Sequence, residues 1–252
     1  TIENLDNESL STDYVNLTTA EAKFIRGWNY VQLYSLFGPV PLHISASDEA
    51  LQARATDAEM RTQIESDLTD AMNTLPVSTD KFGKATKGAA QGLLTKYYLN
   101  TKQWQKAADM AKTIISSGNY ALQATFQDVF AFTNEGNKEM VWALPNDSGS
   151  GNKLMALQSL TYPPSYPRPY SNNAVWAART YMFDSFVDSF EAGDERKNSI
   201  IQQWNTADGT PQEAYGFDQS LPAKFPFDPN SLAWRSGNDF PVVRYADVLL
   251  SA

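Results

Sequence analysis

The chain has 252 residues, 42% of them hydrophobic and 12% aromatic, enough for a buried core in one large domain or two small ones. A net charge of −9 excludes a phosphate-neutralising nucleic-acid surface and argues against docking on anionic lipid headgroups. With no cysteine and one histidine, the chain has no disulfide framework, thiolate nucleophile, cysteine-ligated zinc or two-histidine metal motif.

Residues 1–17 are polar and rich in Asn, Asp and Ser, and read as a loop. Thr18 and Glu21 have the spacing of a capping box, in which each side chain satisfies a free amide at a helix start. The helix behind them carries Phe24, Trp28, Val31 and Leu36; Gly38 and Pro39 end it, and Pro41 prevents its resumption. A second capping box, Thr56 and Glu59, opens a helix with Met60, Ile64, Leu68, Ala71 and Leu75 on one face, closed by Pro76. Helices over 87–99 and 102–117 have so short a connection that they form antiparallel neighbours. Trp104, Ala108, Ala111 and Ile115 are the expected buried stripe of the second, and Gly118 stands where a left-handed cap belongs. Leu94, Tyr98, Ala107 and Ala111 fall on the offsets of a tetratricopeptide (TPR) pair, although an ordinary helical hairpin has the same pattern.

After Tyr120 the texture changes. "KEMVWAL" (138–144) reads as a strand, "NDSGSGNK" (146–153) as a flexible loop, and "TYPPSYPRPYSNN" (161–173), with four prolines, as irregular chain. A helix over 175–191 is predicted to bury Phe183, Phe186, Val187 and Phe190, with Gly193 after it. The stretch from there to Asp239 is rich in turns and aromatics: Trp204, Tyr215, Phe217, Phe225, Phe227 and Trp234. "PVVRYADVLLSA" (241–252) reads as a helix with Val243, Ala246, Val248, Leu249 and Leu250 on its apolar face. It lacks a stop signal and is expected to continue past Ala252; a start at Thr1 without methionine is expected of a processed, trimmed or partial chain. The fold class is therefore mostly α, with TPR-like helical pairs packed with a loop-rich, aromatic-rich half containing a few short strands. We expect one domain over 1–252, with 18–118 and 241–252 as helical scaffold and 119–240 as the ligand-binding part.

"AEAKFIRGWNYVQLYSLFGPVPL" (20–42) resembles the signature of the SusD/RagB family, surface glycan-binding lipoproteins of Gram-negative bacteria. The likeness continues in order through "IESDLTDAMNTLP" (64–76), the pair at 84–122, "NKEMVWAL" (137–144), "FVDSFEAGDERK" (186–197) and "FPVVRYADVLLSA" (240–252). The resemblance implies a non-enzymatic protein on the outward face of the outer membrane. It would bind oligosaccharide or polysaccharide, need no cofactor, and deliver sugar to a TonB-dependent, SusC-like transporter. The family's signal peptide, lipidated cysteine and a further helical stretch would precede Thr1. Contact with the membrane would run only through that anchor, and part of the glycan site would come from the missing stretch.

His43 has no partner motif for catalysis nearby and is expected to be a surface or packing residue. Asp184, Asp188, Glu191 and Asp194 could be read as a catalytic pair or a calcium cluster. However, i, i+4 spacing does not bring two carboxylates to either side of a glycosidic bond, and the loop lacks calcium's alternating ligands. A local Asp194–Arg196 ion pair is the simpler account. Phe24, Trp28, Tyr98 and Trp104 are assigned to the core. Tyr162, Tyr166, Tyr170, Trp176, Trp204, Tyr215 and Trp234 lie in loops or at helix starts, where rings can stack on sugar C–H faces. Arg168, Asn172 and Asn173 are hydrogen-bonding neighbours. The candidate ligand-binding set is Tyr162, Tyr166, Arg168, Tyr170, Asn172, Asn173, Trp176, Trp204 and Trp234. If stacking and neutral hydrogen bonds hold the sugar, affinity should be modest and insensitive to salt. The rival readings are a helical-repeat protein–protein adaptor whose aromatics are all structural, and a glycoside hydrolase.

Overall fold

The computed structural model of the protein describes residues 10–148, 156–176, 179–214 and 219–252. The chain divides into two compact units. The first comprises residues up to Ala121, Met140–Trp142 and Val243–Ala252, and the second Leu122–Glu139 and Ala143–Val242.

Four helices dominate the first unit: α1 (Thr12–Phe37), α2 (Asp57–Thr74), α3 (Lys87–Asn100) and α4 (Trp104–Ser116). Helix α1 begins earlier than its sequence predicts. Ser11, not Thr18, is the cap and accepts from the Tyr14 amide, and the Thr18–Glu21 pattern lies inside the helix. Polar residues alone do not stop a helix, and no proline occurs before Pro39. The predicted box at Thr56 and Glu59 is present, and Met60, Ile64, Leu68, Ala71 and Leu75 are all buried. Gly27 lets α1 approach α2 closely, since a Cβ there would stand 2.9 Å from Leu68 Cγ. Across that seam Arg26 holds Asp67 with two bonds, Nε to Oδ2 at 2.8 Å and Nη2 to Oδ1 at 2.7 Å. The pairing satisfies a carboxylate only 1% exposed.

The Gly-Pro elbow closes α1 by polar stitching. Gly38 has φ +68°, which glycine adopts without strain. Arg54 Nη1 donates to the carbonyls of Phe37 and Pro39, two acceptors at the open helix end. The Tyr30 hydroxyl accepts from the His43 amide at 2.7 Å and donates to the His43 carbonyl at 3.2 Å. The His43 side chain is exposed, as expected.

Helix α3 is buried on nearly every side, and α4 packs on it through Ala107, Ala111 and Ile114. The predicted stripe on α4 is thus turned by one residue at Ala108 and Ile115, and Trp104 is 60% exposed rather than in the core. The buried face of α4 is set by Ala107, Ala111 and Ile114, and Trp104, at the first position of the helix, is left largely in solvent. The strands β1 (Met140–Leu144) and β6 (Phe240–Arg244) form a two-stranded sheet. Trp142 meets Phe24 and Trp28 edge-on, at 4.8 and 5.0 Å between ring centres, and donates Nε1 to the Gly83 carbonyl. The predicted helix over 241–252 is shorter: residues up to Arg244 are extended, as β-branched Val242 and Val243 favour, and α8 is Tyr245–Leu249. Val248 is buried, whereas Leu249 and Leu250 are exposed.

The second unit has short elements: α5 (Phe126–Phe130), α6 (Leu157–Thr161), α7 (Asp184–Asp188), β2 (Ile200–Ile201), β3 (Gln203–Asn205), β4 (Pro211–Glu213) and β5 (Leu221–Pro222). Strands β3 and β4 form a hairpin with Trp204 opposite Gln212, and β2 pairs antiparallel with β5. Ala214 and Leu221 make a small core with Ile201 and Trp204 against it. Among its described residues, the helix predicted over 175–191 is replaced by non-helical chain and the single turn of α7. The Trp176 amide bonds to Ser159 O, Arg179 to Leu160 O and Met182 to Ser220 O, so those donors are spent outside any helix. Val187 is buried, but Phe183 and Phe186 are exposed. Tyr215, Phe217 and residues 149–153 of the predicted loop lie outside the described residues.

Candidate functional site

Within the second unit, Asp228 organises the loop that carries Trp234. Its buried carboxylate accepts from the Asn230 amide at 2.7 Å and from the Gly237 amide at 2.8 Å. Ser231 Oγ lies within hydrogen-bonding distance of the Ala233 and Arg235 carbonyls. Ala233 itself has φ +58°, a left-handed conformation uncommon for a residue with a side chain, and is fixed by the Ala174 amide donating to its carbonyl at 2.8 Å.

That last bond ties the loop to the proline-rich segment. Asn173 bridges to Ala233, and its Nδ2 donates to Asp228 O; Asn172 Nδ2 donates to Pro229 O and Ser231 O. Both amides therefore spend their donors fastening the two loops together. Arg168 Nη1 donates to Asn173 O at 2.9 Å, which holds an exposed guanidinium at the same junction.

The aromatic candidates separate into two groups. Tyr162 is 4% exposed, stacked on Phe227 at 4.5 Å and beside Tyr166 at 4.7 Å. Tyr166 in turn meets half-buried Trp204 at 5.9 Å. Burial pushes the Tyr162 and Tyr166 hydroxyls above their usual values, so both stay neutral. These rings offer little free face and mainly pin the loops. The second group is open. Trp176 is 54% exposed and lies 5.1 Å from Trp234 with 37° between the ring planes; Tyr170 is 41% exposed on the adjoining loop. The Arg235 guanidinium sits 4.4 Å above the Trp234 ring, within cation–π reach. Arg235 and Phe227 are absent from the sequence-derived candidates. Arg235's place directly after Trp234 was the available signal, whereas nothing local marked Phe227 as the plate beneath Tyr162.

The acidic stretch does not converge. Asp184 accepts from Ser220 Oγ and Gln202 Nε2, while Asp194 accepts from Arg196 Nε at 2.9 Å, the local ion pair expected. That guanidinium holds the Asp194 carboxyl below its usual range. It also lies 4.6 Å over Phe190 in an open depression of about 550 Å³ that Phe186 helps to line.

The sequence and the fold have known counterparts. Residues 1–99 match the SusD-like_3 family, described as "Starch-binding associating with outer membrane". SusD-like protein P25 of Formosa agariphila is 28% identical over 149 residues, 57% of this chain and 28% of that protein. In fold, the chain is similar to surface glycan-binding protein A from Bacteroides uniformis: TM-score 0.80, 20% identity, 100% of this chain and 57% of that one. A laminarin binding SusD-like protein gives a TM-score of 0.79 and 22% identity over 99% of this chain and 62% of its own. Residues 1–99 are thus similar to the SusD-like family, and the chain shares its fold with these solved structures. It spans less than two thirds of the length of these relatives.

Proposed function

We propose that this chain is the larger part of a cell-surface glycan-binding protein that holds an oligosaccharide on the Trp176–Trp234 platform. In the whole protein a lipid anchor would tether it to the outward face of the outer membrane, where it would pass sugar to a TonB-dependent transporter. The observation that carries the reading is the exposed Trp176 indole paired with half-buried Trp234, with a polar latch holding both loops. Indole faces suit the C–H faces of pyranose rings, and the fixed loops limit the ordering that a ligand must impose. The family's starch-binding description and the laminarin-binding relative support the same chemistry. Binding without cleavage accords with Asp184 and Asp194 being engaged by different local partners. Isothermal titration calorimetry with an oligosaccharide panel tests the proposal. Trp176→Ala should weaken binding by about tenfold, from the ~1–2 kcal/mol of a stacking contact, with circular dichroism unchanged. Unaltered affinity in a folded variant would place the site elsewhere.

A further inference from the structure

We propose that the glycan taken by this platform is acidic, bearing carboxylate or sulfate groups, with Arg168 and Arg235 as its recognition residues. The proposal rests on the glycan-binding reading above and narrows it to a ligand class.

The first observation is where charge falls in the sequence. The chain is acidic overall, yet the two segments that build the platform, 156–183 and 229–238, contain Arg168, Arg179 and Arg235 and no Asp, Glu or Lys. All 29 acidic residues lie elsewhere. The fold then gathers those segments. The Ala174 amide bonds to the Ala233 carbonyl, and Trp176 and Arg179 are anchored by their amides to consecutive carbonyls of α6, Ser159 and Leu160. Acids that flank the segments in sequence are already engaged. Asp228 is buried against the amides of Asn230 and Gly237, Asp184 is held by Ser220 and Gln202, and Asp239 accepts from the Asn146 amide. Among the described residues neither Arg168 nor Arg179 has a carboxylate partner.

The second observation is posture. The Arg235 guanidinium lies 4.4 Å over the Trp234 ring, which places a planar cation beside the indole on which a sugar would stack. Arg168 is fixed at one nitrogen by the Asn173 carbonyl at the loop junction. A planar guanidinium held in place matches the two oxygens of a carboxylate or sulfate, which a neutral hydroxyl cannot exploit equally. At physiological ionic strength charges beyond about 8 Å are largely screened, so the three arginines weigh against the adjacent, already engaged carboxylates and not against the net charge of the whole chain. Affinity should therefore depend on salt, in contrast to the neutral stacking expected from the aromatic residues alone.

The test is calorimetry on the 252-residue chain with oligogalacturonate, a sulfated galactan oligosaccharide and a neutral laminarin oligosaccharide, at low and moderate salt. At least one acidic ligand should bind about tenfold more tightly than laminarin at low salt and lose most of that margin at moderate salt. Preference for oligogalacturonate identifies the carboxylate, and preference for the galactan the sulfate. Arg168→Gln and Arg235→Gln should each weaken acidic binding by roughly fivefold and leave laminarin within about twofold. Lys112→Gln on α4 makes the same charge change elsewhere and should do neither. Arg235→Lys provides a milder second variant, keeping the charge but losing the planar fork, and should retain an intermediate preference. Equal affinity for acidic and neutral ligands, or an Arg168→Gln loss shared by both, overturns the acidic assignment while the glycan reading stands. Phosphatidylglycerol vesicles bound as well as the acidic sugar also overturn it, because the patch would then be a general anion surface. No binding of any of the three sugars overturns both.

Discussion

The two units draw on the same stock of aromatic side chains but secure them by different means. In the helical unit, Phe24 and Trp28, placed by the period of α1, meet Trp142 of strand β1 edge-on beside a frame of long helices. In the loop-rich unit the frame is made of side-chain bonds to backbone, from Asp228, Asn172, Asn173 and Ser231, and the rings are arranged upon it. Apolar burial therefore dominates the first unit, and satisfaction of buried polar groups the second.

The sharpest way to break this contrast is to empty the helical core. Leu68→Ala should cost about 3–4 kcal/mol, since Leu68 is fully buried against α1 and its loss leaves a cavity. Hydrogen exchange should show the loss concentrated in the amides of α1–α3; a loss spread evenly over both units would deny the division. Asp228→Ala tests the other side and should cost roughly 1–3 kcal/mol by leaving the buried Gly237 amide unpaired and releasing the Asn230 amide. Protection should fall in the loops around 228–237 and 172–174, and an effect below about 0.5 kcal/mol would mean that the latch is ornamental.

A smaller effect is expected from pH. Burial, with Asp239 nearby, raises the Glu135 carboxyl from 4.5 to about 7, while the Asp239 amide that it accepts opposes the rise. Asp239 is itself raised by burial. A carboxyl whose folded value is raised favours the folded state while protonated. Its contribution is therefore full below about pH 4.5 and lost as pH climbs through about 7. Glu135 is exposed enough for solvent to weaken the effect. Urea midpoints taken from pH 4.5 to 8 should carry this decline, and Glu135→Gln should flatten it; an unchanged slope would show that the shift is not expressed. The smallest expected effect is Trp104→Ala, below about 1 kcal/mol in urea, because its ring is mostly in water. A cost near that of Leu68→Ala would return Trp104 to the core.

The helical unit was largely legible in the sequence because each helix brings its own signal. The α2 stripe from Met60 to Leu75 and its capping box were readable from one short stretch. The misreadings arose where a distant partner decides. Periodicity placed Phe183 and Phe186 on a buried helical face, but the Met182 amide is taken by the Ser220 carbonyl and no long helix forms. Trp104 fits a stripe that burial of Ala107 and Ile114 then displaced. At the candidate site, residue type marked Trp176 and Trp234 for surface roles, yet nothing local separated them from Tyr162. That difference depends on Phe227, a residue 65 positions along the chain, supplying a stacking partner. Likewise Asn172 and Asn173 look like ligand contacts by type and prove to fasten loops, through carbonyls more than 50 residues away.

Ala233 gives the platform a timing as well as a shape. A left-handed residue with a methyl group has far fewer neighbouring conformations to wander into than glycine would have, and its carbonyl is held from two sides. The next residue is Trp234, so the direction of that ring is decided while the chain folds. On the proposed function, a sugar arriving there would meet a finished surface, its arrival governed by diffusion and orientation with no slow loop rearrangement. Its residence would then be set by how long the rings and their polar rim hold it, so changes at this surface would act chiefly on the rate of departure.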